Sequence, residues 1–414
     1  MSGLQPVRGT HDLFPEEMRR HRKVIDTARA VAERYGYGEI ATPIFEFSEV
    51  FQRTLGDTSD IVTKEMYSFT DRGGENVTLR PEYTAGIARA FISGGLQQQL
   101  PLKFFCHGPM FRYERPQKGR LRQFHQIDAE LLGIAGPQAD IEVIALGWDI
   151  LTALGLDDRC VLELNTLGDT ASRNAYRTVL IAYFKGHLDK LSEDSKARLE
   201  RNPLRILDSK DEGDRRIVAG APAFQDHLNA ESADFFAQVR AGLDALGVPY
   251  KLNQRLVRGL DYYCHTAFEF TTEALGAQGT VMGGGRYDGL IEIMGGPATP
   301  AIGWAAGIER LAMLVEAPPE PPRPVAIVPM GDAAEAKALV LARDLRRAGV
   351  SVELGYGGNM KKRMQRANKV RARAAIILGE DELNRSAAAV RDLDSGEQAE
   401  IALDRLEAHL ARFR

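Results

Sequence analysis

The apolar and polar positions of this chain change period several times, and each change predicts an element. From Leu102 to Glu114 (LKFFCHGPMFRYE) and from Leu121 to Leu131 (LRQFHQIDAEL) apolar and polar residues alternate, the period of a half-buried strand. Between them Pro116 and Gly119 interrupt any regular element, so Arg115–Gly119 is a turn and the whole segment a hairpin. Helices are predicted over Glu16–Tyr35 and near Thr84–Ser93, with a short strand over Glu39–Thr42. From about Gly168 to Leu228 the pattern is helical and highly charged, as in DKLSEDSKARLERN. Strand-rich sequence resumes at Tyr250 and runs through Phe270, which makes the helical stretch an insertion.

Ala317–Pro324 (APPEPPRP) reads as an extended, proline-rich linker. Beyond it strands are predicted at Val325–Pro329, Ser351–Leu354 and Ala374–Leu378. Helices over Ala333–Ala348 and Asn359–Arg373 separate them, and two short strands and a last helix follow. That order predicts a small α/β domain with a mostly parallel sheet.

The 414 residues suggest two or three domains, and 44% hydrophobic with 27% charged residues is a globular composition. A net charge of -4 confines any nucleic-acid contact to local basic patches. Cys106, Cys160 and Cys264 lie far apart without CxxC spacing, which argues against a zinc ribbon and fits a reducing cytoplasm. The start, MSGLQPVRGTHDLF, has no apolar signal-peptide core, and no uncharged run has the length of a membrane span. A soluble, intracellular protein is expected.

The hairpin carries Arg112, Arg115, Lys118, Arg120 and Arg122 beside Glu114 and Glu130. Strand alternation puts Arg112 and Glu114 on one face, and likewise Gln126, Asp128 and Glu130. A solvated surface hairpin is the plain alternative. The flanks are too apolar for exposure on both faces, which favours a charged sheet floor that binds something polar.

Other segments carry similar pairs of readings. Glu82 in TLRPEYT either caps a helix N-terminus or holds a ligand ammonium. In LVRGLDYYCHTAFEF, Arg258 suits an anionic group, while the tyrosine either fills a core or reads a hydrogen-bonding side chain. MGGGRYDGL alone means little more than a tight turn. AIGWAAGIERL runs a small-residue strand into a helix with Arg310 in its first turn, a fit for polyphosphate. No GxxxxGK[ST] is present, so a P-loop is excluded. Lys362, Arg366, Lys369 and Arg373 form a basic helical stripe opposite Met360, Met364 and Ala367. The stripe is either a solvated face or the footprint of a phosphate backbone.

Together TLRPE, FRYERPQKGRLRQFHQ, LVRGLDYY, GGGRYDGL and IGWAAGIERL resemble the class II aminoacyl-tRNA synthetases, and within them the histidyl-tRNA synthetase family. The resemblance spans nearly the whole chain from RGTHDLFPEE. ATPIFEFSEVF, with Pro43, is similar to motif 1, the hairpin to motif 2 and AIGWAAGIERL to motif 3, while HIGH and KMSKS are absent. The resemblance implies an α+β catalytic domain over residues 1–320, an antiparallel sheet flanked by helices, with a helical insertion at about 168–228. It implies a linker at 317–324 and an α/β anticodon-binding domain over 325–414. Histidine–tRNA ligation in the cytoplasm by a homodimer, with ATP and Mg²⁺, follows from the same likeness.

Residue by residue, it implies that Arg112 and Arg258 flank the meeting of histidine carboxylate and α-phosphate. Arg310 and Arg120 would hold the γ-phosphate, Glu114 would belong to the ATP site and Phe124 would stack on adenine. Glu82, Thr84 and Gln126 would receive the ammonium; Glu130 and Tyr263 would read the imidazole, with Arg258 and Tyr287 in the same pocket. Arg115 and Gln117 would meet the tRNA acceptor end and its extra 5′ guanosine, with Lys362, Arg366 and Lys369 as further tRNA contacts. No protein-held metal is expected. Cys264 and His265 stand where asparagine and a basic residue are frequent, and His11, His107, His125 and His265 receive no role. The rival reading is a non-charging regulatory paralogue of histidine biosynthesis with eroded motifs; a pure RNA-binding protein on the same scaffold is a third. The retained Arg112, Arg258 and Arg310 and the extra domain weigh against both.

Overall fold

The computed structural model describes residues 4–55, 61–209, 211–257, 262–276, 279–318 and 320–413. The chain divides into two compact units, Met1–Pro318 and Pro319–Arg414. Among the described residues no helix is long and apolar enough to cross a membrane.

The first unit is built on strands β1 (Gly38–Glu39), β5 (Leu102–Phe111), β6 (Gln123–Leu132), β7 (Val161–Thr166), β8 (Tyr250–Leu252), β9 (Cys264–Thr271), β10 (Thr280–Arg286) and β11 (Ala301–Gly307). They form one sheet in the order β1-β5-β6-β11-β10-β9-β7-β8. All its interior pairings are antiparallel, and only the edge pairs β1–β5 and β7–β8 are parallel. A smaller sheet joins β2 (Phe45–Phe47), β4 (Asn76–Leu79) and β3 (Tyr67–Thr70).

Alternation along β6 divides the main sheet into a dry face and a polar one. Ile127, Ala129 and Leu131 join the main core with Val24, Val143 and Trp304, beneath the helices Pro15–Arg34 and Gln138–Ala153. The first of these begins with Pro15 and two acidic residues, Glu17 accepting from Phe14 N at 3.0 Å, and Gly36 (φ +80) follows its end in the left-handed region. The opposite face of β6 carries Gln126, Asp128 and Glu130.

Helices Thr170–Lys185, Glu193–Arg201 and Glu212–Val218 enclose a separate hydrophobic cluster that includes Tyr176, Leu180, Phe184, Ile206 and Phe224. Asp214, fully buried, ties this segment together by accepting from Ser192 N (2.9 Å) and from the hydroxyls of Ser192, Ser195 and Ser209 (2.7, 2.6 and 2.7 Å). Those bonds hold its carboxyl down at about 2.

In the second unit β12 (Val325–Pro329), β13 (Val352–Leu354), β14 (Ala374–Leu378), β15 (Ala387–Asp392) and β16 (Gln398–Ala402) lie in the order β13-β12-β14-β15-β16. β13, β12 and β14 are parallel, but β15 and β16 are antiparallel, so the sheet is mixed rather than mostly parallel. The short helix Glu380–Asn384 after β14 turns the chain straight back instead of crossing over. The linker is less free than its composition suggests: Arg323 donates to Arg371 O and Ala372 O and pairs with Asp394.

Candidate active site

Four strands, β6, β9, β10 and β11, and the starts of two helices, Thr84–Ser93 and Ile308–Leu314, make the site. In the β6–β11 register Gln126 faces Gly307, Asp128 faces Ala305 and Glu130 faces Gly303. The small residues of AIGWAAG therefore stand beside the polar row and leave it room. At Gly303 a Cβ would fall on Glu130 Oε2, so only glycine admits that carboxylate. Gln126 and Asp128 border a cavity of about 250 Å³ that is also lined by Glu82, Thr84, Arg112 and Arg310, with Glu130 just behind its wall.

At the deep end Thr84 Oγ1 donates to Glu130 Oε1 at 2.6 Å, and the Tyr287 hydroxyl donates to Glu130 Oε2. Burial, opposed by these two bonds, pushes the Glu130 carboxyl up to about 8. Glu82 Oε1 accepts from Ala85 N at 2.8 Å, which is the capping geometry, yet the same carboxyl borders the cavity and is raised by burial. Both readings of Glu82 are therefore compatible with its position. Tyr263 borders the cavity and packs against Tyr262 and Tyr287, ring centroids 4.6 and 6.5 Å away.

Cations gather at the other end. Arg112 donates to Pro81 O at 3.0 Å and lies 5.2 Å over the Phe124 ring. Arg120 pairs with Glu114 at 3.0 Å. Arg310 reaches Gly119 O (3.2 Å) and Thr280 O (2.6 Å), and burial together with repulsion from Arg120 lowers its pKa. Three guanidinium groups held this close in a partly buried space favour a polyanion.

The hairpin strand ends at Phe111, so Arg112 and Glu114 do not share a strand face; they follow β5 on the connection to the turn. There Gln117 and Arg120 bridge across a tight turn, with Gly119 at φ +74. Arg115 and Gln117 are exposed at its tip. Arg258 lies outside the described residues. Glu130 and Tyr287 stand one layer behind the cavity wall rather than on it.

In the second unit the basic helix is Met360–Lys369, shorter than Asn359–Arg373, which leaves Arg373 off the stripe. Lys362, Arg366 and Lys369 are exposed on it, Arg366 pairing with Glu353 at 2.7 Å. Met360, expected on the packed side, is 41% exposed. Arg363 takes the buried side instead, bonded to Gly358 O at 2.8 Å, Pro329 O and Glu335.

Several residues gain a role that the sequence did not signal. Arg80 is buried and donates to Thr42 O and Pro109 O, both at 2.9 Å, fixing the start of TLRPE against β5. Arg286, fully buried, pairs with Asp140 and with Asp288 (3.0 Å). Glu309 accepts from both the backbone N (3.0 Å) and the ring Nδ1 (2.8 Å) of His125, tying β6 to the helix that carries Arg310. His21, His125 and Glu309 bring their ligand atoms within 4.8 Å of one another, the one such group that could hold a metal among the described residues. Its closest bond is the His125–Glu309 tie. A charged residue next to Pro or Gly was the only available signal for Arg80 and Arg286.

An antiparallel sheet flanked by helices, with a strand-borne polar row at one end of a cavity and clustered arginines at the other, defines a class II aminoacyl-tRNA synthetase catalytic unit. The family model of histidyl-tRNA synthetase matches residues 9–311, and that of an anticodon-binding domain matches 324–412. The chain is 64% identical to a histidine–tRNA ligase of Rhodospirillum rubrum over 414 residues, 100% of both chains. It is 61% identical to one from Gluconacetobacter diazotrophicus, covering 99% of each. The crystal structure of apo histidyl-tRNA synthetase from S. aureus superposes with a TM-score of 0.82 at 35% identity, covering 98% of this chain and 99% of that one. The chain belongs to the histidyl-tRNA synthetase family.

Proposed function

We propose that the cavity joins histidine to ATP and that its residues divide by position. The chain is a histidine–tRNA ligase: it activates histidine with ATP to histidyl-adenylate and pyrophosphate, then transfers histidine to the 3′ end of histidine tRNA. The observation that carries the assignment is one cavity with Gln126 and Asp128 at one end, backed by Glu130, and Arg112, Arg120 and Arg310 at the other.

Histidine enters with its ammonium toward Glu82, Thr84 and Gln126 and its imidazole toward Glu130 and Tyr263, with Tyr287 steadying Glu130. A carboxylate oxygen of histidine attacks the α-phosphorus of ATP; an acyl–phosphate bond forms and pyrophosphate leaves with the electrons of the broken bridge. Arg112 and Arg258 offset the charge that develops on phosphorus. Arg310 and Arg120 hold the γ-phosphate and Phe124 stacks on adenine, with Glu114 orienting Arg120. The carboxylates of Glu114 and Glu269, which border this end of the cavity, would be the oxygen donors for a Mg²⁺ bound with ATP, which would neutralise charge on the phosphates. A hydroxyl at the tRNA 3′ end then attacks the acyl carbon and AMP leaves.

Residues 1–320 serve as catalytic domain with the insertion at about 168–228, 317–324 as linker and 325–414 as anticodon-binding domain. Arg115 and Gln117 meet the acceptor end, and Lys362, Arg366 and Lys369 the tRNA backbone. A cytoplasmic homodimer is supported by the free cysteines and by the small sheet, where Phe45, Phe47 and Phe69 are 57%, 53% and 51% exposed beside the Pro43 segment.

Histidine-dependent ATP–pyrophosphate exchange with Mg²⁺ tests the reading. Arg258→Ala should nearly abolish exchange in folded protein, and survival within a few-fold would remove that residue from the chemistry. Charging of histidine tRNA with and without its extra 5′ guanosine tests Arg115 and Gln117.

A further inference from the structure

Three carboxyl groups crowd the histidine end of the cavity, and they are not equivalent. Glu130 has both oxygens occupied, by Thr84 and Tyr287. Glu82 gives one oxygen to Ala85 N. Asp128 is 1% exposed and borders the cavity, yet neither of its oxygens has a hydrogen-bond partner. Two residues earlier on the same strand face, Gln126 Oε1 is also buried and unpartnered. Alternate residues on a strand lie about 7 Å apart, a span that one small cation bridges.

Buried acceptors without partners are costly and rare, and here they converge on one space. We propose that Asp128 is a specificity residue for this reaction, the anionic acceptor of the histidine α-ammonium, which it holds together with Gln126 and Glu82. This rests on the histidine-activating reading above and assigns a further residue to it. An ammonium offers three N–H donors, and the open oxygens of Asp128 and Gln126 together with the Glu82 carboxyl supply matching acceptors. In the free protein burial and the nearby Glu130 and Glu82 hold the Asp128 carboxyl well above the usual range, so it favours its proton until the positive charge of the ammonium arrives and draws out the ionised form. Arg80 and Arg112 lie close enough to act on it through space without a hydrogen bond to either oxygen.

The test is Asp128→Asn in the full chain, assayed by pyrophosphate exchange. The amide keeps the shape but removes the charge and replaces one of the two acceptor oxygens with an N–H donor. KM for histidine should rise about 100-fold while KM for ATP stays within twofold. The inhibition constant of 3-(imidazol-4-yl)propionate, which lacks the ammonium, should be unchanged, and the variant should melt no lower than wild type. A histidine KM within threefold of wild type overturns the proposal. So does a parallel rise in both KM values with a lowered melting temperature, or an equal loss for the imidazolylpropionate. Absence of exchange in the wild-type protein would instead strike the proposed function itself.

Discussion

Thr84 and Glu130 are 46 residues apart and joined by a 2.6 Å hydrogen bond from the threonine hydroxyl to Oε1. Tyr287 completes the arrangement from a third element, so Glu130 is held in one orientation by two hydroxyls. A buried carboxyl fixed in this way is suited to discriminating a ring by where its nitrogens lie.

The raised Glu130 pKa has a defined sign. The folded protein holds a proton to about pH 8 that the unfolded chain releases near 4.5. This group therefore costs no stability below about 4.5, and its cost grows as pH rises toward 8. Glu82 and Asp128 are shifted in the same direction. Unfolding free energy measured in urea from pH 5 to 8 should fall less steeply for Glu130→Gln than for wild type. Equal slopes would mean that Glu130 is ionised in the free protein.

Gly303→Ala should disturb histidine binding more than ATP binding. The added methyl meets Glu130 Oε2 and the Ala129 carbonyl, and displacing the carboxylate breaks its bonds to Thr84 and Tyr287. Titration calorimetry should show histidine affinity reduced by about 100-fold or more, with ATP affinity nearly intact. Retained histidine affinity would show that Glu130 is free to move aside.

Arg286→Ala removes a guanidinium that is 0% exposed from an Asp140 carboxylate that is also 0% exposed. Breaking one partner of such a pair leaves a buried charge, a loss of about 3–5 kcal/mol. Denaturant melts of the full chain would register it. A loss under about 1 kcal/mol would mean that water or a neighbour replaces the guanidinium.

Asp214→Ala should loosen the helical insertion while sparing the main sheet, because the four bonds to Asp214 come from Ser192, Ser195 and Ser209. Hydrogen exchange should accelerate across residues 188–218, with pyrophosphate exchange retained. Its lowered pKa makes this contribution present above about 3.8 and lost as pH falls toward 2. Acid should therefore release the insertion in wild type but cause little further change in the variant.

Replacing Lys362, Arg366 and Lys369 together by Ala should weaken tRNA binding and leave pyrophosphate exchange unchanged. All three are exposed on one short helix of the second unit. The dependence of log affinity on log salt should flatten by about 2 to 3, the effect of losing three phosphate contacts. An unchanged slope would return the stripe to the status of a solvated face.

Much of the framework was legible because it is local. The β12 and β14 strands and the Thr84–Ser93 helix fall where periodicity puts them, since a run of like residues at one spacing specifies its own element. Boundaries failed where a neighbour decides: the expected Glu39–Thr42 strand pairs with β5 only at Gly38–Glu39. The basic helix failed for a related reason. Periodicity treats every arginine as polar, whereas Arg363 is buried because Glu335 and two carbonyls receive it.

The sequence by itself determined the family, the order of the motifs and the residue types available to the site, including the row Gln126, Asp128 and Glu130 on one strand face. The tertiary structure alone decided how those groups are spent. Glu130 is occupied by Thr84 and Tyr287, Arg80 and Arg286 are committed to the scaffold, and Asp128 is left open to the cavity. The reason is that hydrogen-bond satisfaction inside a protein depends on partners tens or hundreds of residues away. Periodicity says which way a side chain points; only the fold says what waits there.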